Sequence, residues 1–104
     1  MENDPLRKVY ICSPYSGDTV HNANMARVYC RQAMDEGFIP IAPHIYFTQF
    51  LFDDVEEERR KGMDAGLGLL LECEQVWVFG EPTEGMREEI EHARRNGIPV
   101  VEKQ

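Results

Sequence analysis

Apolar residues fall into short runs and helical stripes that alternate along the chain. Residues 8–13 (KVYICS) form a compact apolar run, read as a central strand buried on both faces. Helical spacing follows over 20–36, with Ala26, Tyr29, Cys30 and Ala33 on one stripe and Gly37 as the stop. Residues 38–42 (FIPIA) make a second strand, and the internal proline, which has no N–H for a ladder, moves it toward a sheet edge. Residues 43–54 (PHIYFTQFLFDD) are rich in aromatics with no clean period. That is too apolar for an ordinary loop, so the segment is expected to fold over the sheet as a lid or as a contact surface. Residues 55–61 (VEEERRK) read as a solvated helical face with pairs such as Glu56–Arg60. Met63, Leu67, Leu70 and Leu71 then make an apolar stripe, with Gly62, Gly66 and Gly68 permitting close approach. Residues 75–79 are a third strand. Met86, Ile90 and Ala93 share a helical face ending at Gly97, and 98–101 (IPVV) are a fourth strand. Strands alternating with helices, joined by right-handed crossovers, predict a single α/β domain with a mainly parallel sheet. Residues 1–6 read as a loose leader.

The passage from the third strand into the last helix carries the sharpest chemistry. In an open α/β sheet, ligands bind at the carboxyl ends of strands, and the chain leaves this strand through Gly80 and Pro82. On the helix, Glu88 points roughly 160° away from Met86, whereas Glu89 lies only about 60° from it. Glu89 is thus the charged side chain at the edge of the buried stripe, in a first turn that favours an anion. A partly shielded carboxylate suits a nucleophile. The same position also suits a carboxylate that only complements the helix dipole. Ser16-Gly17, at the first strand-to-helix junction, can present backbone N–H groups to an anion, or serve as a plain turn; it matches neither a P-loop nor G-x-G-x-x-G. His44 sits just past the second strand at the same end of the sheet, as a ligand contact or a structural histidine. Asp64 flanks the third helical stripe and is expected to project toward the ligand-binding edge. Asp53 and Asp54 with His44 fit no metal-ligand spacing, and no metal site is expected.

Composition narrows the classes. A chain of 104 residues, 42% hydrophobic and 29% charged, reads as one soluble globular domain. Its net charge of −8 argues against a nucleic-acid polymer or an anionic membrane surface as partner. Three cysteines with no C-x-x-C pair read as reduced thiols in a cytoplasmic protein. No stretch reads as a signal peptide or a membrane span.

Three blocks together resemble the nucleoside 2-deoxyribosyltransferase-like superfamily, which includes the 2'-deoxynucleoside 5'-monophosphate N-glycosidases. Residues 9–17 (VYICSPYSG) are similar to its opening strand and sugar- or phosphate-binding loop. Residues 73–80 (CEQVWVFG) are similar to its cysteine-acid-apolar third strand. Residues 83–93 (TEGMREEIEHA) resemble its Ser/Thr-x-Gly-x-x-x-Glu signature, which places Glu89 at the family's nucleophile. The resemblance spans residues 8–101. It implies a doubly wound, flavodoxin/Rossmann-like sheet of four to five strands with flanking helices. It further implies cleavage or transfer at the N-glycosidic bond of a 2'-deoxynucleoside or its 5'-monophosphate through a glycosyl-enzyme intermediate. Asp64 would protonate the leaving base, although the family's acid aligns nearer Ala65 or Gly66. Tyr10, Tyr15, Ser16, Gly17, Asn22, His44, Thr83 and Gly85 would contact the substrate. No cofactor is implied, and a homodimer or larger assembly is. Two other readings stay open: a nucleotide-binding module without turnover, and an N-glycosidase acting on a ribonucleotide or an NAD-type ligand.

Overall fold

The four apolar runs come together as one parallel sheet in the computed structural model, which describes residues 7–103. Strands β1 (Arg7–Cys12), β2 (Phe38–Ile41), β3 (Gln75–Phe79) and β4 (Val100–Lys103) lie in the order β2-β1-β3-β4, and every adjacent pair runs parallel. The expected leader, 1–6, lies outside the described residues. Helices α1 (Thr19–Asp35), α3 (Glu56–Leu70) and α4 (Glu84–Arg95) carry the crossovers, with a single-turn helix α2 (Pro43–Tyr46) after β2. This is the flavodoxin-like arrangement of a doubly wound α/β domain. No helix among the described residues is long and apolar enough to cross a membrane.

Strand alternation sorts the core into two layers. Val9, Ile11, Trp77 and Phe79 face α1, where Ala33 is buried and Tyr29 stacks on Phe79 with ring centroids 3.9 Å apart. Tyr10, Cys12, Val76 and Val78 face the other way, against Leu70 of α3 and Met86 and Ala93 of α4. The two central strands are therefore sealed on both sides. That is why they read as continuous apolar runs rather than alternating ones. β1 feeds α1 toward β2 on one side, and β3 feeds α4 toward β4 on the other. The crevice between them opens at the carboxyl ends of β1 and β3.

Three local expectations change. The fourth strand begins at Val100, not Ile98: the Ile98 N–H donates to Ala93 O (2.9 Å) as the helix exits, and Pro99 has no N–H to give a ladder, though its carbonyl accepts from Val76 N (2.9 Å). Leu71 is 47% exposed because it caps α3 rather than continuing its stripe; Gly66 takes the buried place instead. Arg60 does not pair with Glu56, which holds Arg59. Arg60 reaches forward to Asp64 and across to Glu88 of α4. The aromatic segment, expected as a lid or contact surface, has local helical order. It folds as α2 and a single 3-10 turn (Phe47–Gln49), turning Tyr46 and Phe50 outward at 62% and 56% exposure.

Candidate functional site

Two alternate residues of β1 and one of α4 meet at the base of the crevice. Because strand side chains alternate, Tyr10 and Cys12 point to the same face, and that face is the one α4 covers with Met86, Ile90 and Ala93. Glu89, at the edge of that helical stripe, meets both. The Tyr10 hydroxyl donates to Glu89 Oε2 at 2.7 Å, and the Cys12 thiol donates to Oε1 at 3.2 Å. Gly66 lets α3 sit against the same tyrosine, since a Cβ there would stand 3.2 Å from its hydroxyl.

Burial sets the electrostatics. It raises the Glu89 carboxyl above its ordinary range, while the hydrogen bonds from Tyr10 and Cys12 pull the other way. Burial, reinforced by the neighbouring Glu89 charge, raises both Tyr10 and Cys12, so each remains a protonated donor at neutral pH. The result is one carboxylate with both oxygens held and two neutral groups aimed at it. Such a group is oriented for attack on an electrophilic carbon.

A cavity of about 440 Å³ opens over this centre, within the range of small-molecule sites (roughly 300–1,000 Å³). Its floor includes Tyr10 and Glu89, and one wall is α3 at Met63 and Gly66. Tyr15 and Ser16 of the loop after β1 form a second side, with Thr83 and Gly85 at the start of α4 opposite. Thr83 is the N-cap: its hydroxyl accepts from Met86 N at 3.3 Å.

His44, at the start of α2, completes the lining. Its Nε2 is 2.9 Å from Ser13 Oγ, and its ring stands edge-on to Tyr15 at 6.3 Å between centroids. Burial lowers its pKa to about 4, so the imidazole is neutral at neutral pH. A histidine held neutral when folded gives stability that is complete above its unfolded pKa and is lost as pH falls toward the folded one. Between pH 7 and pH 5 this amounts to about 2 kcal/mol. Glu89 acts in the opposite sense, because a raised carboxyl pKa costs the fold stability as pH rises through it. His44→Gln is therefore expected to lose less stability than the parent over that interval. Urea unfolding at the two pH values checks it, and parallel losses in both proteins would remove His44 as the cause.

Other sequence-based candidates are placed differently. Asn22 does not line the cavity; its amide donates to the carbonyls of Tyr15 (3.1 Å) and Ser16 (3.0 Å) and so holds the loop from behind. Gly17, with φ +93°, makes the turn at the outer rim, beyond the main lining. Asp64 is the clearest displacement from its expected place. It is absent from the lining, its side chain is 65% exposed, and it pairs with Arg60 at 3.0 Å. Two residues before Gly66, it lies roughly 160° around α3 from the face turned to Tyr10. Cys12 and Ser13 were not singled out from sequence. Their signal was available for Cys12: it stands two residues after Tyr10 in a strand, hence on the same face. Among the described residues, no three of His, Cys, Asp and Glu come together as a metal site.

Comparison with known proteins supports the architecture. A family model described as "Domain of unknown function (DUF7768)" matches residues 7–103. A solved 2-deoxyribosyltransferase from the psychrotolerant bacterium Bacillus psychrosaccharolyticus is similar in structure, with a TM-score of 0.67 and 16% identity. The match covers 91% of this chain and 70% of that one. No curated protein matches the chain. At that identity the structural likeness speaks for the fold alone.

Proposed function

We propose, for a chain that belongs to the DUF7768 family, that it cleaves or transfers at the N-glycosidic bond of a 2'-deoxynucleoside-type substrate, with Glu89 as nucleophile. The single observation that carries this reading is the Glu89 carboxylate, held by Tyr10 and Cys12 at the floor of the crevice at the carboxyl ends of β1 and β3. The similar fold of a 2-deoxyribosyltransferase agrees with it.

In the first step a Glu89 oxygen forms a bond to the anomeric carbon as the bond from that carbon to the base nitrogen breaks. The electron pair leaves with the base, which takes its proton from solvent at the open mouth of the cavity. The anomeric carbon develops cationic character, which a neighbouring carboxylate stabilises. In the second step water, or a second base, adds to the same carbon, gives up a proton to solvent and releases Glu89 as a carboxylate. Water gives a hydrolase and a base gives a transferase. Tyr10 serves both steps, since its hydroxyl stays bonded to the carboxyl oxygen that does not attack. Tyr15, Ser16, Thr83 and Gly85 line the space around the sugar and base, and His44 contributes a neutral ring. Asp64 stands outside the cavity and has no part in this scheme.

Its displacement also favours a second reading, a nucleotide-binding module without turnover, because a carboxylate exposed and paired with Arg60 does not reach a leaving base. One assay separates the two. A panel of 2'-deoxynucleosides, their 5'-monophosphates and the matching ribonucleosides, incubated with the protein and followed by chromatography, is expected to release free base from at least one deoxy member. Binding by calorimetry with no base released from any of them would favour the binding module.

A further inference from the structure

Cleavage at a glycosidic bond leaves one polar pair of the cavity without a task. Ser13 is the polar residue that lies buried among the described residues, at 6% exposure. It follows β1 directly, at the carboxyl end of a central strand where the chain turns toward α1. Nucleophiles on open α/β sheets stand at such strand-to-helix turns, although the chain has no G-x-S-x-G here. Ser13 Oγ is 2.9 Å from His44 Nε2, and both residues line the cavity of about 440 Å³.

The direction of that hydrogen bond follows from the partners at hand. The Ser13 hydroxyl meets no other acceptor among the described residues, and a buried hydroxyl proton is rarely left unbonded. Its proton therefore points to Nε2, which leaves the imidazole proton on Nδ1. Burial keeps the ring neutral at neutral pH, the form that can receive a proton. A pKa lowered from 6.5 to about 4 also makes it a weak base, and no carboxylate among the described residues holds Nδ1. Such a pair activates a hydroxyl modestly, which suits an activated acyl group rather than an amide. Donors for an oxyanion stand on the same loop: the backbone N–H groups of Ser16 and Gly17 donate to no other described residue.

Beyond the glycosidic reading, and without resting on it, we propose that Ser13 and His44 form a second nucleophilic centre in this cavity, which accepts the acyl group of a small activated ester. Ser13 Oγ forms a bond to the carbonyl carbon and gives its proton to His44 Nε2. The bond from that carbon to the leaving oxygen then breaks with its electron pair, and the proton on Nε2 passes to the leaving oxygen. Water adds to the acyl-serine, returns a proton through Nε2 to Ser13 Oγ, and releases the acid.

Two probes test it on the whole chain. One is p-nitrophenyl acetate, followed by release of nitrophenolate. The other is a small alkyl fluorophosphonate, whose phosphorus bonds to a serine oxygen as fluoride leaves and stays bound. Intact-mass and peptide-mass measurements are expected to find one fluorophosphonate adduct, on Ser13. Ser13→Ala is expected to lose both the adduct and the initial burst of nitrophenolate, and His44→Gln to slow both by about tenfold or more. Mapping the adduct on the unaltered protein keeps the result independent of how well the variants fold. No adduct, an adduct on Tyr15 or any other residue, equal labelling of Ser13→Ala, or an unchanged rate in His44→Gln overturns the proposal. Base release from 2'-deoxynucleosides, followed on the same samples, is a separate outcome. Its absence would end the glycosidic reading and leave Ser13 standing as an acyl acceptor, and an unlabelled Ser13 would leave Glu89 standing as nucleophile.

Discussion

Glu89→Ala is expected to abolish base release, a loss on the order of 10³-fold or more, while Glu88→Ala stays within about threefold of the parent. The two carboxylates are adjacent in sequence and opposite in circumstance. Glu89 is half-buried at the crevice floor with both oxygens engaged by Tyr10 and Cys12. Glu88 stands at the outer rim of the cavity, 41% exposed, and its bond is to Arg60 on α3. Steady-state release of base from a deoxynucleoside reads the difference, and equal losses in both variants would undo the assignment of Glu89. Glu89→Gln adds a control for folding. Burial raises the Glu89 carboxyl, so ionising it costs the folded state stability that is present at acid pH and lost as pH rises through its folded pKa. The glutamine variant should accordingly melt higher than the parent at neutral pH, with the gain vanishing in acid. An inactive protein that is more stable is not an unfolded one.

Tyr10→Phe carries the second-largest expected effect. It keeps the ring that fills the core and removes the donor 2.7 Å from Glu89 Oε2. Hydrogen bonds to charged groups are worth about 1.5–3 kcal/mol, which corresponds to a fall in kcat/KM of roughly 10- to 100-fold. The direction of the pH effect follows from the same bond. Without it the anionic form of Glu89 loses support, its pKa moves further up, and the acid limb of the pH–rate profile shifts to higher pH. Cys12→Ala should move the limb the same way by less, since the thiol is a weak donor at 3.2 Å. A slower enzyme whose acid limb has not moved would mean that Tyr10 supports packing and not the charge of Glu89.

Residues 9–12 and 75–79 announce two-sided burial by composition alone, and the placing of Glu89 beside Met86 follows from 3.6 residues per turn. Both are properties of the local backbone, which is why the chain itself determines the parallel α/β sheet, its central and edge strands, and the carboxylate at the rim of a buried stripe. Other features depend on how separate elements meet. That Cys12 reaches Glu89, that Ser13 finds His44, and that α3 turns Gly66 rather than Asp64 to the tyrosine are set by the packing of β1, α2, α3 and α4. The partners of Arg60 belong to the same class. An exposed guanidinium can take any carboxylate within reach, so its choice of Asp64 and Glu88 over Glu56 is decided only when α3 and α4 lie side by side. Local spacing selects the elements and the faces they bury; tertiary contact alone determines which polar side chains on those faces become neighbours.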